Sequence, residues 1–217
     1  MFVSVWFMNF TGRFLCVWIN QETTGKKMEK ILHEDKTFEN VDYTGKAVEG
    51  REFDACTFLH CNFTRSNLSN NDFIDCVFTD CNFSLTGLSN TGMKNVQFKH
   101  CKLLGIDFSI CSNFLFSVNF ENCILDYSSF YQKKMKKASF KDCSLKEVDF
   151  TETDLSNAIF NNCDLLSAGF MQTILEKADF RTAVNYSFDP DLNKIKKAKF
   201  ALQGVGGLLS KYNIDIE

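Results

Sequence analysis

The sequence predicts an all-β fold, a four-sided parallel β-helix that is closed at its C-terminal end by a helix. Two periods and one detail of composition indicate this. A bulky apolar residue recurs every five residues, similar residues recur every twenty, and the single proline, Pro190, lies beyond the continuous repeats. A period of five is neither the 3.6 residues of a helix nor the two residues of a strand, so neither element alone keeps these residues on one face.

The five-residue pattern forms the sides of the predicted coil. It begins at Phe38, runs unbroken to Phe108, resumes after a spacing of seven at Leu115, and continues to Phe180. The position two residues before each bulky residue holds mostly Cys, Ala, Ser, Thr or Val. One large and one small inward residue in every five suits a chain that bends after each unit around a narrow core. Each unit therefore forms one side.

The twenty-residue period predicts four sides in each coil. Phe120, Phe140, Phe160 and Phe180 are twenty residues apart, and other apolar residues and cysteines form parallel series. Stacked coils with a spacing of about 4.8 Å bring equivalent side chains into columns, and about seven coils give a rod roughly 35 Å long. We expect Phe140 to lie buried between Phe120 and Phe160.

Ten cysteines in a chain of this length raise the question of disulfides or zinc. Eight occupy the small inward position, where a thiol packs as a compact apolar group: Cys56, Cys61, Cys76, Cys81, Cys101, Cys123, Cys143 and Cys163. His60 and His100 precede two of them but point to the opposite side of an extended wall. We therefore predict no metal site and no cofactor. Stacked thiols lie within disulfide distance, so we expect a reducing compartment, the cytoplasm.

Residues 1–27 lack the repeat and form a separate N-terminal extension. Their first basic residue, Arg13, lies in the middle rather than ahead of an apolar run, unlike a secretory signal. Their apolar stretches are too short to span a bilayer, so no membrane-spanning segment is expected of the protein. Three interpretations stay open: a weak signal or membrane-surface segment, a cap over the first coil, and translated upstream sequence before a true start at Met28. We favour the last, with the repeat domain over residues 28–200.

The break in the pattern places two extra residues within Ser109 to Phe114. A bulge at one corner would expose Phe114 or Phe116, which are therefore candidate partner contacts, and a neutral kink is the alternative. Insertions in solenoids often lie on the binding face.

Residues 201–217 are the predicted cap. The repeat fails after Phe180 and returns briefly at Ile195 and Phe200. Leu202, Val205, Leu208, Leu209 and Tyr212 then follow at helical spacing, although three glycines weaken the helix. A solenoid must cover its last coil or leave an open edge. This segment has more apolar residues than one coil end requires, so Leu208, Leu209 and Tyr212 are candidate contacts of a homodimer.

The charge is modest, with a formal net charge of -3. A mildly acidic rod without a basic stripe argues against direct binding of nucleic acid. Asp72, Asp75 and Asp80 are candidate partner contacts. Lys133, Lys134, Lys136 and Lys137 surround Met135, and Lys133 stands where a small inward residue is expected. This lysine cluster is either a solvated surface or a contact for an anion.

The order of a small residue, Asp or Asn, and then Leu or Phe, as in Cys163-Asp164-Leu165 and Ala178-Asp179-Phe180, resembles the bacterial pentapeptide-repeat family over about residues 38 to 200. The resemblance implies a right-handed quadrilateral parallel β-helix. Residues 202 to 212 are similar to the segment that joins two rods end to end in quinolone-resistance proteins of the Qnr and MfpA type. Such proteins are similar to a DNA duplex in width and charge and engage type II topoisomerases. The resemblance therefore implies DNA gyrase or topoisomerase IV as the partner.

The sequence contains no catalytic constellation, since it has three histidines, no glycine-rich phosphate loop, and cysteines committed to the core. We predict a binding protein without enzymatic activity. Two functions stay open: a DNA mimic that binds a type II topoisomerase, and a rigid scaffold for another protein. A continuous negative stripe along one or two sides favours the mimic, and scattered charge favours the scaffold.

Overall fold

The computed structural model describes residues 2–8, 14–20 and 30–215. The strands are β1 (Phe2–Met8), β2 (Phe14–Asn20), β3 (Ile31–Glu34), β4 (Thr37–Glu39), β5 (Arg51–Asp54), β6 (Thr57–Leu59), β7 (Asp72–Ile74), β8 (Val77–Thr79), β9 (Gly92–Lys94), β10 (Val96–Lys99), β11 (Val118–Glu121), β12 (Ser139–Lys141) and β13 (Ile159–Asn161). The α-helix α1 (Gly206–Leu209) follows, and 3-10 turns cover Pro190–Leu192, Leu202–Gly204 and Ser210–Tyr212.

The N-terminal extension contains an antiparallel pair, β1 with β2, in which Phe2 lies opposite Asn20 and Met8 opposite Phe14. Met28, the favoured start of translation, lies outside the described residues.

The repeats form a four-sided parallel β-solenoid, in agreement with the predicted fold class, with about seven turns from Phe38 to Phe180. We name the sides by their columns of large inward residues. Side 1 contains His33, Phe53, Phe73, Met93, Met135, Leu155, Leu175 and Ile195; side 2 contains Phe38, Phe58, Phe78, Phe98, Phe120, Phe140, Phe160, Phe180 and Phe200; side 3 contains Tyr43, Phe63, Phe83, Leu103, Leu125, Leu145 and Leu165; side 4 contains Val48, Leu68, Leu88, Phe108, Phe130, Phe150 and Phe170.

Parallel sheets line two of the four sides. Side 1 carries the sheet β3-β5-β7-β9, and side 2 carries β4-β6-β8-β10-β11-β12-β13. Sides 3 and 4 are joined by single bridges such as Asn62 with Asn82 and Asp149 with Gly169. Registers of Phe58 with Phe78 and Phe140 with Phe160 confirm the twenty-residue period.

Stacked aromatic rings fill the core. Phe140 is fully buried, and its ring lies 5.4 Å from the ring of Phe120 and 5.0 Å from that of Phe160, nearly parallel to both. The rings of Phe130 and Phe150 meet it edge-on from side 4. Offset stacking along a column and edge-to-face contacts across the core are both favoured by the ring quadrupole. The expected position of Phe140 is confirmed.

At nearly every corner of the coil, the residue two positions after the large one lies in the left-handed region. His60 has a φ of 51° and Asp80 a φ of 54°. Polar residues outside the core support the bends: Asn62 Oδ1 accepts hydrogen bonds from the backbone N–H of Thr64 at 3.1 Å and from its hydroxyl at 2.6 Å. This local bond explains why Asp and Asn recur just before the large residue.

The small inward residues donate hydrogen bonds to the preceding coil. Cys81 Sγ lies 3.5 Å from the carbonyl oxygen of Phe58, and the Thr153 hydroxyl lies 2.8 Å from that of Phe130. Thiols and hydroxyls are therefore interchangeable here, because each satisfies a buried polar group. The predicted burial of eight cysteines is confirmed, and Cys111 is a ninth. Burial raises the pKa of the Cys76 thiol to about 12, which keeps it unreactive at neutral pH.

The predicted helix at the C-terminal end of the rod is present but short. Among residues 201–215, α-helical structure is confined to Gly206–Leu209, and 3-10 turns flank it. The glycines permit close packing: a Cβ at Gly207 would overlap the carbonyl oxygen of Tyr186. Glycine lowers helix propensity, so the segment follows the end of the rod instead of forming a regular helix. Among the described residues, no helix has the length and apolar character needed to cross a membrane.

Candidate partner-binding surfaces

The break in the repeat forms a bulge at the corner between sides 1 and 2. The bulge lies further along the chain than the five-residue pattern predicts. Cys111 occupies the small inward position, Asn113 stands where the large residue is expected, and Leu115 is the left-handed corner residue, with a φ of 54° and 54% exposure. The extra residues are Phe116 and Ser117, just before β11. The expectation that Leu115 points inward is therefore wrong, because the slip follows Leu115 instead of preceding it.

The two candidate contacts in the bulge have opposite environments. Phe116 is 8% exposed, and its ring lies 6.4 Å from the ring of Phe108, where it fills the core space that the exposed Asn113 leaves empty. Phe114 is 79% exposed. Phe116 is thus a core residue and was wrongly expected at the surface as an alternative to Phe114. Phe114 and Leu115 present their side chains to solvent.

A buried lysine supports the bulge from the next coil. Lys133 is 1% exposed, and its Nζ donates hydrogen bonds to the carbonyl oxygen of Cys111 at 2.6 Å and to Asn113 Oδ1 at 2.8 Å. The same ammonium lies 5.0 Å from the centre of the Phe116 ring. Burial lowers the pKa of Lys133, and these contacts offset part of the loss of hydration. Lys133 therefore does not belong to the exposed surface that the other three lysines of the cluster form.

The three candidate carboxylates do not form one site. Asp72 on side 1 accepts a hydrogen bond from Lys30 Nζ at 2.5 Å, and Asp75 at the next corner accepts one from Asn95 Nδ2 at 2.7 Å. Asp80 lies one side further round, 3.8 Å from His60 Nδ1. Asp72 and Asp75 therefore share side 1 but bond to different partners, and Asp80 belongs to the next side.

The charges on sides 2 and 3 are mixed. On side 2, Lys141 Nζ bonds to Glu121 across adjacent coils at 2.6 Å. On side 3, Lys146 Nζ lies 3.4 Å from Asp164. Such alternating charges neutralise one another locally.

Side 4 has a different composition. Its outward positions from Ala47 to Gln172 carry carboxylates at Glu49, Asp107, Asp149 and Glu152, with neutral residues between them and no Lys or Arg. The carboxylates are separated by neutral coils, so they do not form a continuous stripe.

Side 1 segregates its charges along the rod. The outward positions around His33, Phe53 and Phe73 carry six carboxylates and no basic residue: Glu34, Asp35, Glu52, Asp54, Asp72 and Asp75. The outward positions around Met135, Leu155, Leu175 and Ile195 carry seven lysines against Asp154 and Glu176: Lys134, Lys136, Lys137, Lys177, Lys194, Lys196 and Lys197. We call these sets the acidic half and the basic half of side 1.

The candidate dimer contacts in the cap also differ in their exposure to solvent. Leu208 is 9% exposed and packs against the core of its own chain, so its expected role as a contact between copies is wrong. Leu209 is half-buried, and Tyr212 is 58% exposed. Leu202, at 86% exposure, is a more accessible apolar residue that helical spacing alone did not distinguish.

The histidines do not form a catalytic or metal centre within the described ranges. His33 stacks on Phe53 in the core column of side 1, with ring centres 4.9 Å apart, and burial lowers its pKa. Among the residues that the structure describes, no three His, Cys, Asp or Glu side chains are grouped so as to hold a metal ion.

A match to a family profile agrees with this architecture. The profile of the family described as "Pentapeptide repeat region" matches residues 51–113 and 114–185, more than half of the chain. Trypsin-treated QnrB1, a plasmid-mediated fluoroquinolone resistance protein, has 19% identity and a TM-score of 0.48, with 87% of this chain and 98% of that chain covered. HetL, a pentapeptide repeat protein involved in heterocyst differentiation regulation in the cyanobacterium Nostoc, has 12% identity and a TM-score of 0.49, with 82% and 89% covered. A search of curated protein sequences found no match.

Proposed function

This chain belongs to the pentapeptide repeat family, and we propose that it is a binding protein without enzymatic activity whose rigid sides engage a protein partner in the cytoplasm. The observation that carries this proposal is the different role of inward and outward positions in each five-residue unit. Large and small inward residues are committed to the core, and the positions between them form long, exposed sides of polar and charged residues.

The distribution of charge supports a scaffold over a full DNA mimic. A duplex carries negative charge all along its length. Sides 2 and 3 mix both signs, and half of side 1 is basic. A partner that recognises this rod therefore meets a specific pattern of charge on each side.

Side 4 nevertheless supports one particular partner, a type II topoisomerase. It is the side on which carboxylates face solvent without a lysine or arginine at any outward position from Ala47 to Gln172. A basic DNA-binding groove is complementary to such a surface. We include DNA gyrase and topoisomerase IV as the partners to test first, and protection from quinolones as the expected consequence of binding gyrase.

A capture experiment tests whether the chain binds a type II topoisomerase and whether side 4 is the contact surface. The full chain is immobilised and exposed to purified DNA gyrase or topoisomerase IV, with and without duplex DNA. We expect capture that DNA reduces, and loss of capture in the combined variant Asp107→Lys, Asp149→Lys, Glu152→Lys. The matched control reverses Lys99, Lys102 and Lys146 to Glu on sides 2 and 3, and capture should persist.

The results separate the alternatives. Capture that is lost only with Phe114→Ser would place the contact on the bulge instead of side 4. Failure of both enzymes to bind at low salt would reject the topoisomerase and leave the scaffold with another protein partner.

We also propose that the cap joins two copies end to end. Leu202, Tyr212 and Ile214 are all more than half exposed, which supports an apolar contact at this end of the rod. The contact is expected to bury the same patch from both subunits, as a two-fold interface does.

A further inference from the structure

Side 1 is self-complementary when a second rod runs in the opposite direction. Its acidic half occupies the N-terminal coils and its basic half the C-terminal coils. Stacked hydrogen bonds align each half into columns: Lys134 bridges to Asp154, Asp154 to Ile174, and Ile174 to Lys194. The charges are therefore held at fixed spacings on a flat wall.

Most of these charges belong to no ion pair within residues 30–215. Among residues 30–215, the ion pairs on this side join Lys30 with Asp72 and Lys136 with Asp154. The three lysines that flank Ile195 are all exposed and belong to none of the ion pairs in that range. Six carboxylates at one end and seven lysines at the other leave a wall with opposite charge at its two ends.

The bulge lies between the two halves. Phe114 and Leu115 project from the level that separates the coil of Met93 from the coil of Met135, and both side chains are mostly exposed. Apart from Lys94, the outward positions of these two middle levels carry no charge. Exposed apolar groups at the midpoint and opposite charges at the ends match the layout of a two-fold interface, where apolar residues near the axis contact their own copies.

We propose that two copies of this chain associate side by side and antiparallel through side 1. Around an axis at the bulge, the coil of His33 in one copy faces the coil of Ile195 in the other, twice, so Glu34 and Asp35 lie opposite the three lysines that flank Ile195. Phe114 and Leu115 meet Phe114 and Leu115 of the second copy near that axis. This contact is independent of the topoisomerase and of the end-to-end contact at the cap, since neither uses side 1.

The contact is weak and sensitive to salt. A wall roughly 40 Å long and 10 Å wide is smaller than the ~800 Å² that each partner buries in a standard stable complex. Exposed ion pairs contribute little individually and are screened over about 8 Å at physiological salt. Lys94 lies next to the midpoint and faces lysines of the second copy, which weakens the contact further. We expect association at low ionic strength that disappears at high ionic strength.

Charge reversal with mixing tests the proposal. Sedimentation of the full chain is compared at about 20 mM and about 500 mM salt, conditions that give long and short screening lengths. The basic-half variant carries Lys194→Glu, Lys196→Glu and Lys197→Glu. The acidic-half variant carries Glu34→Lys and Asp35→Lys. These side chains are exposed, so circular dichroism should match the parent chain.

We expect each variant alone to lose the salt-sensitive dimer and an equimolar mixture to recover it as a heterodimer. The control that reverses Lys99, Lys102 and Lys146 should dimerise like the parent chain. Leu202→Asp with Tyr212→Asp should abolish only association that survives high salt.

Three results would overturn the proposal. The first is identical sedimentation of the parent chain at both salt concentrations. The second is a mixture that stays monomeric, and the third is a dimer that Phe114→Asp leaves unchanged. If the lysines instead bind a short DNA or RNA duplex with no self-association, then side 1 recognises a polyanion and the second copy is rejected.

Discussion

Replacing Phe140 with alanine tests the stacked core most directly. Phe140 has no exposed surface, stacks between Phe120 and Phe160, and meets Phe130 and Phe150 edge-on. Truncation of a buried phenylalanine costs about 3 to 5 kcal/mol, because transfer free energy is lost and a cavity is left. The upper part of that range is expected here, since each aromatic pair adds about 0.5 to 1.5 kcal/mol beyond its buried area.

The assay is urea unfolding followed by circular dichroism, with Phe114→Ala as the matched control. Phe114 is the same residue type at 79% exposure, and its truncation should change the free energy of unfolding by no more than about 0.5 kcal/mol. In a solenoid each coil packs only on its neighbours, so Phe140→Ala should also broaden the transition by uncoupling the two ends. Equal effects of the two substitutions would refute the assignment of Phe140 to a buried column.

Three further predictions concern the bulge and the two ends. Lys133→Met removes a buried amine whose pKa is lowered from 10.5 by burial. Because the unfolded chain binds this proton more tightly, the parent chain should gain stability relative to the variant as pH rises towards 10.5, and urea titrations at several pH values measure this gain. Deletion of residues 1–27 should leave the circular dichroism of the rod intact, and insoluble protein would contradict Met28 as the start. Leu208→Asp should destabilise the cap in thermal unfolding, whereas Leu202→Asp should preserve the melting temperature, and similar losses would contradict their assigned environments.

The repeat could be predicted from the sequence because it is imposed by local geometry. A coil that bends every five residues has two inward positions per unit, and each of these positions accepts few residue types. Phe140 and Cys143 could therefore be placed from spacing alone. The same period, applied around the rod, would have revealed the two halves of side 1, but charge counted along the chain averages them to a small net value.

The bulge could not be placed in this way. Leu115 and Phe116 are both large and apolar, and a slip of two residues fits before or after Leu115 equally well in the five-residue pattern. The choice depends on which side chain fills the space beside Phe108 and on whether Lys133 can reach the carbonyl of Cys111. The second of these contacts joins residues that are 22 positions apart, beyond the reach of the five-residue pattern.

The period, the four sides, the buried cysteines and the need for a cap could all be predicted from the sequence. These features follow from backbone geometry and from the volume available inside a narrow coil. The same two constraints apply to every five-residue unit. Contacts between coils determine that Phe116 and Leu208 are buried while Phe114 and Leu202 are exposed, because hydrophobicity alone does not say which of several nearby apolar residues faces the core. Contacts between coils also determine that Lys133 lies inside, where neighbouring coils supply the oxygen atoms that replace its water.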